Sequence, residues 1–272
     1  MKKRIWRWAR VSSAVSEFHN RTVIVTGGGK GIGAGIVRQF AQKGARIAIA
    51  DKDPGSTEFA SRLRQDGIDA RSYVCDVSIG SEVERAVQEI ARDFGRIDVL
   101  VNNAGIFPRG DLFSTDEALW ERVMGINLKG VFLMCKAVVP HMAQDSEASG
   151  SIVNIGSLHS SKGEDVTLAY AVSKGGLITF TRNLAHALAP RRIRVNCVHP
   201  GWVASEGEVA RWEANGSDIE RIQQSAKSMP LGRMQTGDDI GQAAVFLSSD
   251  QAGQITGQML AVDGGLSIRR PI

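Results

Sequence analysis

The sequence is poor in cysteine, and the few it has suit neither a disulfide framework nor a metal site. Its 272 residues include 3 cysteines, Cys75, Cys135 and Cys197, which are odd in number and too widely spaced for a zinc motif. Each lies in an apolar context, which is typical of small core residues in a reducing cytosol. The 5 histidines form no His-Glu-x-x-His pattern. We therefore expect a cytoplasmic protein without bound metal.

Long apolar runs and basic stripes are also missing. No apolar run reaches the roughly 20 residues that a membrane span needs. The formal net charge is +4, but five positive charges fall in the first ten residues and the remainder is near neutral. No later basic stripe with interleaved aromatic residues follows, so we expect no nucleic-acid partner.

The basic start of the chain is predicted to be an N-terminal extension, residues 1–20, ahead of a single domain at 21–272. It is not a signal peptide, because Arg7 and Arg10 interrupt the place of an apolar segment. Two interpretations are favoured, a disordered tail or a wrongly chosen start codon. A third is a helix, carrying Trp6 and Trp8, that lies on an anionic membrane surface.

The first clear structural pattern is a strand, a glycine-rich loop and a helix. The β-branched run Thr22–Thr26 ends at Gly27, and apolar residues at helical spacing follow from Ile32 to Lys43. Glycines in such a loop allow a pyrophosphate to reach the backbone N–H groups and the positive end of the helix dipole. A second apolar run ends at Asp51, about 20 residues past the loop, where a carboxylate can accept hydrogen bonds from ribose hydroxyls.

Strand and helix patterns alternate through the rest of the chain without a linker or an internal repeat. This order predicts an α/β fold, a single doubly wound Rossmann-type domain with a parallel sheet of about seven strands flanked by helices. The segment 202–230 is largely polar and lacks a deep apolar stripe. It suits a mobile lid better than a core helix.

The run Tyr170-Ala-Val-Ser-Lys174 contains a possible general acid/base. If the segment after Val166 is helical, Tyr170 and Lys174 are an i,i+4 pair on one face. Bringing the pKa of a phenol from about 10 to neutrality requires about 4 kcal/mol. A lysine at ~4 Å supplies about that much at an effective dielectric constant of ~20. Ser157 follows the apolar run Ile152–Ile155, where its hydroxyl could reach a substrate oxygen.

These motifs resemble the short-chain dehydrogenase/reductase family over residues 21–266. The family combines a serine and Tyr-x-x-x-Lys with an upstream Thr-Gly-x-x-x-Gly-x-Gly loop, and the Asn-Asn-Ala-Gly turn at 102–105 also matches. The resemblance implies that Tyr170 is the general acid/base, that Lys174 lowers its pKa and holds the cofactor ribose, and that Ser157 positions the substrate. It further implies that Asn127, at a kink in the helical pattern of residues 120–141, holds a water that relays protons to the lysine.

The resemblance also assigns residues to the dinucleotide. Asp76 and Val77 would border the adenine, the turn at 102–105 would lie beside the cofactor, and Pro200 to Ser205 would face the nicotinamide. Ser205 stands where the family usually has threonine, so its carboxamide contact is less secure. The predicted cofactor-binding residues are Gly27, Lys30, Gly31, Ile32, Gly33, Asp51, Asp76, Val77, Asn103, Ala104, Gly105, Tyr170, Lys174, Pro200, Gly201, Val203 and Ser205.

The predicted reaction is reversible hydride transfer between NAD(H) and a secondary alcohol or ketone, in a homotetramer or homodimer. Asp51 favours NAD, because its carboxylate would repel a 2′-phosphate, whereas Lys30 and Lys52 occupy places that NADP-preferring relatives use. An NADPH-dependent 3-oxoacyl reductase and a non-catalytic dinucleotide sensor or scaffold stay as alternatives. The sequence does not identify the substrate, because the basic and aromatic residues that are candidates for the pocket have acidic neighbours. The candidates are Arg109, His159, Lys162, Trp202 and Trp212, and the acidic neighbours are Glu164, Asp165, Glu206 and Glu208.

Overall fold

The computed structural model describes residues 17–142, 150–214, 216 and 219–268. In these ranges a seven-stranded parallel sheet lies between two layers of helices. The strands are β1 (Thr22–Thr26), β2 (Arg46–Asp51), β3 (Ala70–Val74), β4 (Val99–Asn102), β5 (Gly150–Ile155), β6 (Ile193–Pro200) and β7 (Met259–Val262). The helices are α1 (Gly31–Gln42), α2 (Gly55–Gln65), α3 (Gly80–Phe94), α4 (Glu117–Met124), α5 (Gly130–Val138), α6 (Leu168–Leu188), α7 (Glu206–Ala214), α8 (Ile219–Lys227) and α9 (Gly237–Ser248).

The strand order indicates where in the sheet a ligand binds. The order is β3-β2-β1-β4-β5-β6-β7, and each neighbouring pair is parallel. The chain therefore reverses its direction of travel across the sheet between β1 and β4. In doubly wound sheets, ligands bind at such a reversal, beyond the carboxyl ends of the strands. The predicted fold class is confirmed.

Two apolar cores cover the two faces of the sheet. On one face, buried side chains of α3, α5 and α6, including Val83, Met134 and Leu177, pack against the strands. On the other face, α1, α2 and α9 contribute Ile36, Ala60 and Ile240 among others. The central strands are buried on both sides, which explains their continuous apolar runs.

Helices α1 and α9 approach each other closely because glycines line their contact. A Cβ atom on Gly35 would lie 2.2 Å from the carbonyl carbon of Gly237, and one on Gly241 would lie 2.7 Å from the Gln39 side chain. Helix α9 begins with a capping box in which Thr236 and Asp239 each accept the other's backbone N–H. The glycine loop before α1 is thus supported by a helix that comes late in the chain.

The start of the folded unit differs from the predicted boundary at Arg21. Phe18 is fully buried, packs edge-on against Phe40 with ring centroids 5.1 Å apart, and donates its backbone N–H to Lys43. The sequence pattern did not indicate this earlier start, because one large apolar residue in a polar context gives no periodic signal. The part of the predicted extension at 1–16 lies outside the described residues.

The long helical pattern at 120–141 is interrupted as predicted. Helices α4 and α5 are joined by a π-helical turn, Gly125–Lys129, which contains the fully buried Asn127. The continuous stretch Glu117–His141 has the length and apolar composition of a membrane span. It also supplies Val123, Val131 and Met134 to the core, which accounts for that composition.

The predicted lid segment contains α7 and α8. Among its described side chains, Trp212, Ala226 and Met229 are buried. These three widely spaced residues give the segment buried apolar contacts without forming a stripe. Whether the segment opens and closes stays a prediction.

Candidate active site

Ser157, Tyr170 and Lys174 meet at the carboxyl end of β5. Ser157 lies two residues past the end of the strand at Ile155. Helix α6 begins at Leu168, so that Tyr170 and Lys174 lie in its first two turns on one face. The Ser157 side chain lies beside the Tyr170 phenol and opposes the rise of its pKa. Lys174 is buried, donates from Nζ to the Ile155 carbonyl at 2.7 Å, and lies 5.7 Å from the centroid of the Tyr170 ring. The structure thus brings the three predicted residues together.

The electrostatics of this pair differ from the estimate made for a lysine at ~4 Å. Burial raises the pKa of Tyr170, and the hydrogen bond with Ser157 opposes that rise. Burial also lowers the pKa of Lys174 to about 8. Burial disfavours both charged forms, and it acts here in addition to the attraction between the two side chains. The lowering of the Tyr170 pKa by Lys174 stays a prediction.

Asn127 is held by three hydrogen bonds in the π-helical turn. Its Oδ1 accepts from the Ile106 backbone N–H at 2.9 Å, and its Nδ2 donates to the Ile106 carbonyl and to Ser173 Oγ. These contacts fasten the loop after β4 to α6. The water-holding role that the family implies for Asn127 is not tested by them.

The glycine loop is built against the turn after β4. Gly27 and Gly31 have φ values of +60° and +56°, which favour glycine. A Cβ on Gly33 would lie 2.0 Å from the Gly27 carbonyl oxygen, so no other residue fits there. Asn103 Nδ2 donates to the carbonyls of Thr26 and Gly27.

Thr26 is a functional residue that the sequence analysis missed. Its Oγ1 accepts the backbone N–H groups of Asn103 and Ala104, each at 3.0 Å. It therefore fixes the turn after β4 beside the glycine loop. The sequence signal for this role is a hydroxyl residue at the last position of a strand, directly before a glycine loop.

Asp51 and its neighbours form the end of the loop away from the predicted catalytic residues. Its carboxylate is buried and accepts backbone N–H groups from Gly29 and Asp53, each at 3.0 Å. Lys30 donates to Asp53 at 2.8 Å, and this hydrogen bond lowers the pKa of Asp53. Lys52 is 3.5 Å from Asp76. The two exposed lysines are thus each paired with a carboxylate.

The remaining predicted cofactor residues line the same edge. Asp76 Oδ1 accepts from the backbone and hydroxyl of Ser78, while the side chain of Val77 is buried and would meet a Cβ on Gly130 at 2.8 Å. Pro200 ends β6, and Gly201 lies tightly against Asp263 and Gln235.

The turn after β6 continues toward the glycine loop. Val203 forms a β-bridge with Gln235, and Ser205 lies 3.4 Å from the position that a Cβ on Gly31 would occupy. Ile32, in the first turn of α1, packs on the core beneath.

The shape of this edge fits a dinucleotide. A Cβ on Gly105 would meet Asn127 Oδ1 at 3.3 Å and Lys174 Nζ at 3.7 Å, so the glycine keeps the space above these groups open. The glycine loop leads to the N-terminus of α1, which favours phosphate. Backbone donors for phosphates and a buried carboxylate for a ribose therefore share one edge.

An aromatic and charged pocket lies beside Tyr170. The ring of Phe107, which the sequence analysis missed, is 4.3 Å from that of Tyr170 and 5.4 Å from that of His159. Glu164 hydrogen-bonds to His159 Nε2 and lies 3.5 Å from Arg109. Of the other pocket candidates, Trp202 and Trp212 pack together with ring centroids 5.8 Å apart, and Lys162 is exposed.

His199 supports the serine from behind and was also missed. Its Nδ1 is 2.7 Å from the Ser157 carbonyl oxygen and 3.0 Å from Ser160 Oγ. A carbonyl only accepts, so Nδ1 carries a proton, and Nε2 is buried without a hydrogen bond. Burial lowers the pKa of His199, which favours the neutral ring. The motif His-Pro-Gly at the end of a strand was the only sequence signal.

Comparisons with known proteins agree with this geometry. A family model described as enoyl-(acyl carrier protein) reductase matches residues 27–267. The chain is 38% identical over 253 residues to D-threitol dehydrogenase of Mycolicibacterium smegmatis, covering 92% of this chain and 94% of that one. It is 36% identical over 250 residues to 3-oxoacyl-[acyl-carrier-protein] reductase FabG of Chlamydia muridarum, covering 91% and 98%.

A solved structure is similar over almost the whole chain. It is a putative short-chain dehydrogenase/reductase from Burkholderia xenovorans, with a TM-score of 0.88, 34% sequence identity, and coverage of 94% of this chain and 100% of that one. Fold, site and relatives define an NAD(P)-dependent oxidoreductase acting on CH–OH groups. The chain belongs to the short-chain dehydrogenase/reductase family.

Proposed function

We propose that the protein transfers a hydride reversibly between NAD(H) and a secondary alcohol or ketone. The observation that supports this most is the meeting of Ser157, Tyr170 and Lys174 beside the glycine loop. The nicotinamide, when bound, supplies the hydride acceptor or donor. Tyr170 takes the proton from the alcohol oxygen or returns it to the ketone oxygen, as a general acid/base.

The neighbouring residues have distinct roles in this proposal. Ser157 orients the substrate oxygen toward Tyr170, and Lys174 holds the cofactor ribose and favours the phenolate. Asn127 supports the relay to Lys174 by fixing the loop after β4 against α6. The glycine loop with Asn103 to Gly105 and Pro200 to Ser205 binds the cofactor, Asp76 and Val77 border its adenine, and 202–230 closes over the substrate.

NAD is the proposed cofactor rather than NADP. Asp51 lies where a ribose hydroxyl would bind, and its carboxylate would repel a 2′-phosphate. The lysines that could attract such a phosphate are engaged by Asp53 and Asp76. A charge-assisted hydrogen bond contributes about 1.5–3 kcal/mol, and an exposed lysine at most about 1 kcal/mol.

A small polar alcohol without net charge suits the pocket best. Arg109 and His159 would favour an anion, but Glu164 contacts both of them and offsets their charge. One relative is named for D-threitol and another, from Agrobacterium fabrum, for galactitol. We place the enzyme in the cytoplasm as a homotetramer or homodimer, to be checked by gel filtration with light scattering.

The test compares the only two tyrosines of the chain. Tyr170→Phe removes the proposed acid/base, and Tyr73→Phe removes a hydroxyl that lies in the edge strand β3 and donates to Asp93. Turnover is measured with NAD on D-threitol, galactitol and 1-phenylethanol, and the best of these is the probe alcohol. We expect Tyr170→Phe to lose 10²–10⁴-fold in kcat with cofactor affinity nearly unchanged, and Tyr73→Phe to keep its rate.

Two alternatives give different outcomes. An NADPH-dependent 3-oxoacyl reductase, suggested by the FabG relative, would reduce acetoacetyl-CoA with NADPH far faster than it oxidises any probe alcohol with NAD. A dinucleotide sensor or scaffold would bind NAD without turnover of any of them. Turnover by Tyr170→Phe within a few-fold of wild type would contradict the proposed function itself.

A further inference from the structure

A chain of three polar side chains leads from the Tyr170 phenol to the protein surface. The Ser157 side chain lies beside the phenol. Its Oγ is 3.0 Å from His159 Nδ1. His159 Nε2 in turn hydrogen-bonds to the Glu164 carboxylate. The exposed fraction of the side chains rises to 25% at His159 and 41% at Glu164. The chain therefore begins at the half-buried Tyr170 and ends in solvent.

The direction of each hydrogen bond follows from the groups involved. Glu164 as a carboxylate only accepts, so His159 Nε2 must carry a proton. When the ring is neutral, Nδ1 then has a lone pair and accepts from the Ser157 hydroxyl. Ser157 Oγ also receives the His159 backbone N–H at 3.2 Å. From Ser157 onward, the side-chain donors thus point toward Glu164.

We propose that His159 and Glu164 form a proton relay that connects Tyr170, through the Ser157 hydroxyl, with solvent. This rests on the proposed role of Tyr170 as the acid/base. In alcohol oxidation, the phenol gives its proton to Ser157 Oγ while the Ser157 O–H bond breaks and an Nδ1–H bond forms. The imidazolium, stabilised by Glu164, then loses its Nε2 proton to that carboxylate or to water. Ketone reduction runs the same steps in reverse.

The surroundings of His159 suit this role. Glu164 is the carboxylate in contact with it, and Arg109 contacts the same carboxylate, which helps to hold Glu164 in place. Phe107 and Tyr170 enclose the ring on its other sides. His199 bonds to the Ser157 carbonyl and Lys174 to that of Ile155, so neither occupies Ser157 Oγ. His159 and Glu164 act through Ser157 and are positioning residues in that sense.

The kinetic test uses His159→Ala and His159→Gln with the probe alcohol. We expect both to lose 10- to 100-fold in the oxidation rate at pH 7. The wild-type rate should fall as the pH drops through the range in which imidazole gains a proton, about pH 5–8. This inflection should vanish in both variants, and added imidazole should restore much of the His159→Ala rate. A packing role would give neither the lost inflection nor the rescue.

The carboxylate is tested against its chain neighbour. Glu164→Gln should change the inflection, because it removes the carboxylate that accepts from His159 Nε2, while Asp165→Asn should leave it in place. A substrate-free measurement completes the test: the nitrogen chemical shifts of the neutral His159 ring should show the proton on Nε2. A proton on Nδ1, an unchanged inflection in the His159 variants, or equal effects of the two carboxylate changes would overturn the relay.

Failure of the relay and failure of the proposed function can be told apart. If Tyr170→Phe is inactive while His159→Ala keeps the wild-type rate and pH profile, the relay alone is wrong. If Tyr170→Phe stays active, the acid/base assignment fails, and the ring-nitrogen measurement still decides the hydrogen-bond direction. Melting temperatures of all variants show whether a lost rate reflects lost folding, in which case His159→Gln and Glu164→Gln decide the outcome.

Discussion

At the scale of single residues, the burial of Lys174 links stability to pH. Its pKa is about 8 in the folded protein and 10.5 in an exposed lysine, with burial as the main cause. Between these values the unfolded chain binds more protons, so this residue makes stability rise with pH. Below pH 8 Lys174 is charged in both the folded and the unfolded state, so the full cost of burying its charge lowers the free energy of unfolding.

Lys174→Met should reveal this effect. The free energy of unfolding of wild type, relative to the variant, should rise by about 2–3 kcal/mol between pH 7 and pH 10. Denaturant titrations at both pH values measure it, and titration of other groups cancels in the difference. A pH-independent difference would show that the lysine keeps its ordinary pKa when buried.

The cofactor prediction also belongs to single residues. NAD should exceed NADP by at least about tenfold in kcat/KM, since ~1.4 kcal/mol is a factor of ten. Asp51→Ser should move the preference toward NADP, and Asp53→Asn should do so more weakly by releasing Lys30 from its ion pair. Because Asp51 also holds Gly29, its variant should lose thermal stability while Asp53→Asn should not. A wild type that prefers NADP would contradict the role of Asp51.

Residue types at fixed spacing could be predicted, but their partners could not. Tyr170, Lys174 and Ser157 were found because an i,i+4 pair and a strand end are local patterns. Phe107 and His199 reach the site from distant parts of the chain, and the pairing of Lys30 with Asp53 depends on how the loop folds. Burial, which governs both pKa values in the proposed acid/base pair, is likewise a property of the folded chain.

At the scale of elements, the glycine loop depends on one missing side chain. Gly33→Ala would place a Cβ 2.0 Å from the carbonyl oxygen of Gly27, where helix α1 packs against the glycine loop that precedes it. We expect NAD affinity to fall by at least tenfold and the melting temperature to drop by several degrees. Gly80→Ala, whose Cβ has its nearest neighbour at 3.8 Å, is the control and should change neither. Both are measured by calorimetric titration and thermal melting.

Elements with strong periodicity were predicted within a few residues. The helical pattern after Val166 became α6, and the interruption near Asn127 became a π-helical turn. The segment 202–230 was harder, since its polar surface hides two helices with few buried anchors. A lid and an ordinary surface helix pair have the same composition, so periodicity does not separate them.

At the scale of the whole molecule, the folded unit includes residues from Phe18 onward. Deleting Met1–Ser16 should therefore leave activity, oligomeric state and melting temperature unchanged, because Phe18 keeps its contacts with Phe40 and Lys43. Gel filtration and thermal melting measure this. As a control, Phe18→Ala in the full chain should cost about 3–5 kcal/mol. Binding of the full chain to anionic vesicles, absent after deletion, would support the membrane-surface interpretation.

The segment Gln235–Gly237 touches both halves of the site. Gln235 donates its backbone N–H to Trp202 and accepts that of Ala204, at the start of the segment 202–230. Gly237 lies against the backbone of Gly31 and Ile32 in the glycine loop. A shift of the loop when the dinucleotide enters would therefore be passed to the wall of the alcohol pocket. The expected kinetic consequence is an obligatory order of addition, with the dinucleotide entering first and leaving last.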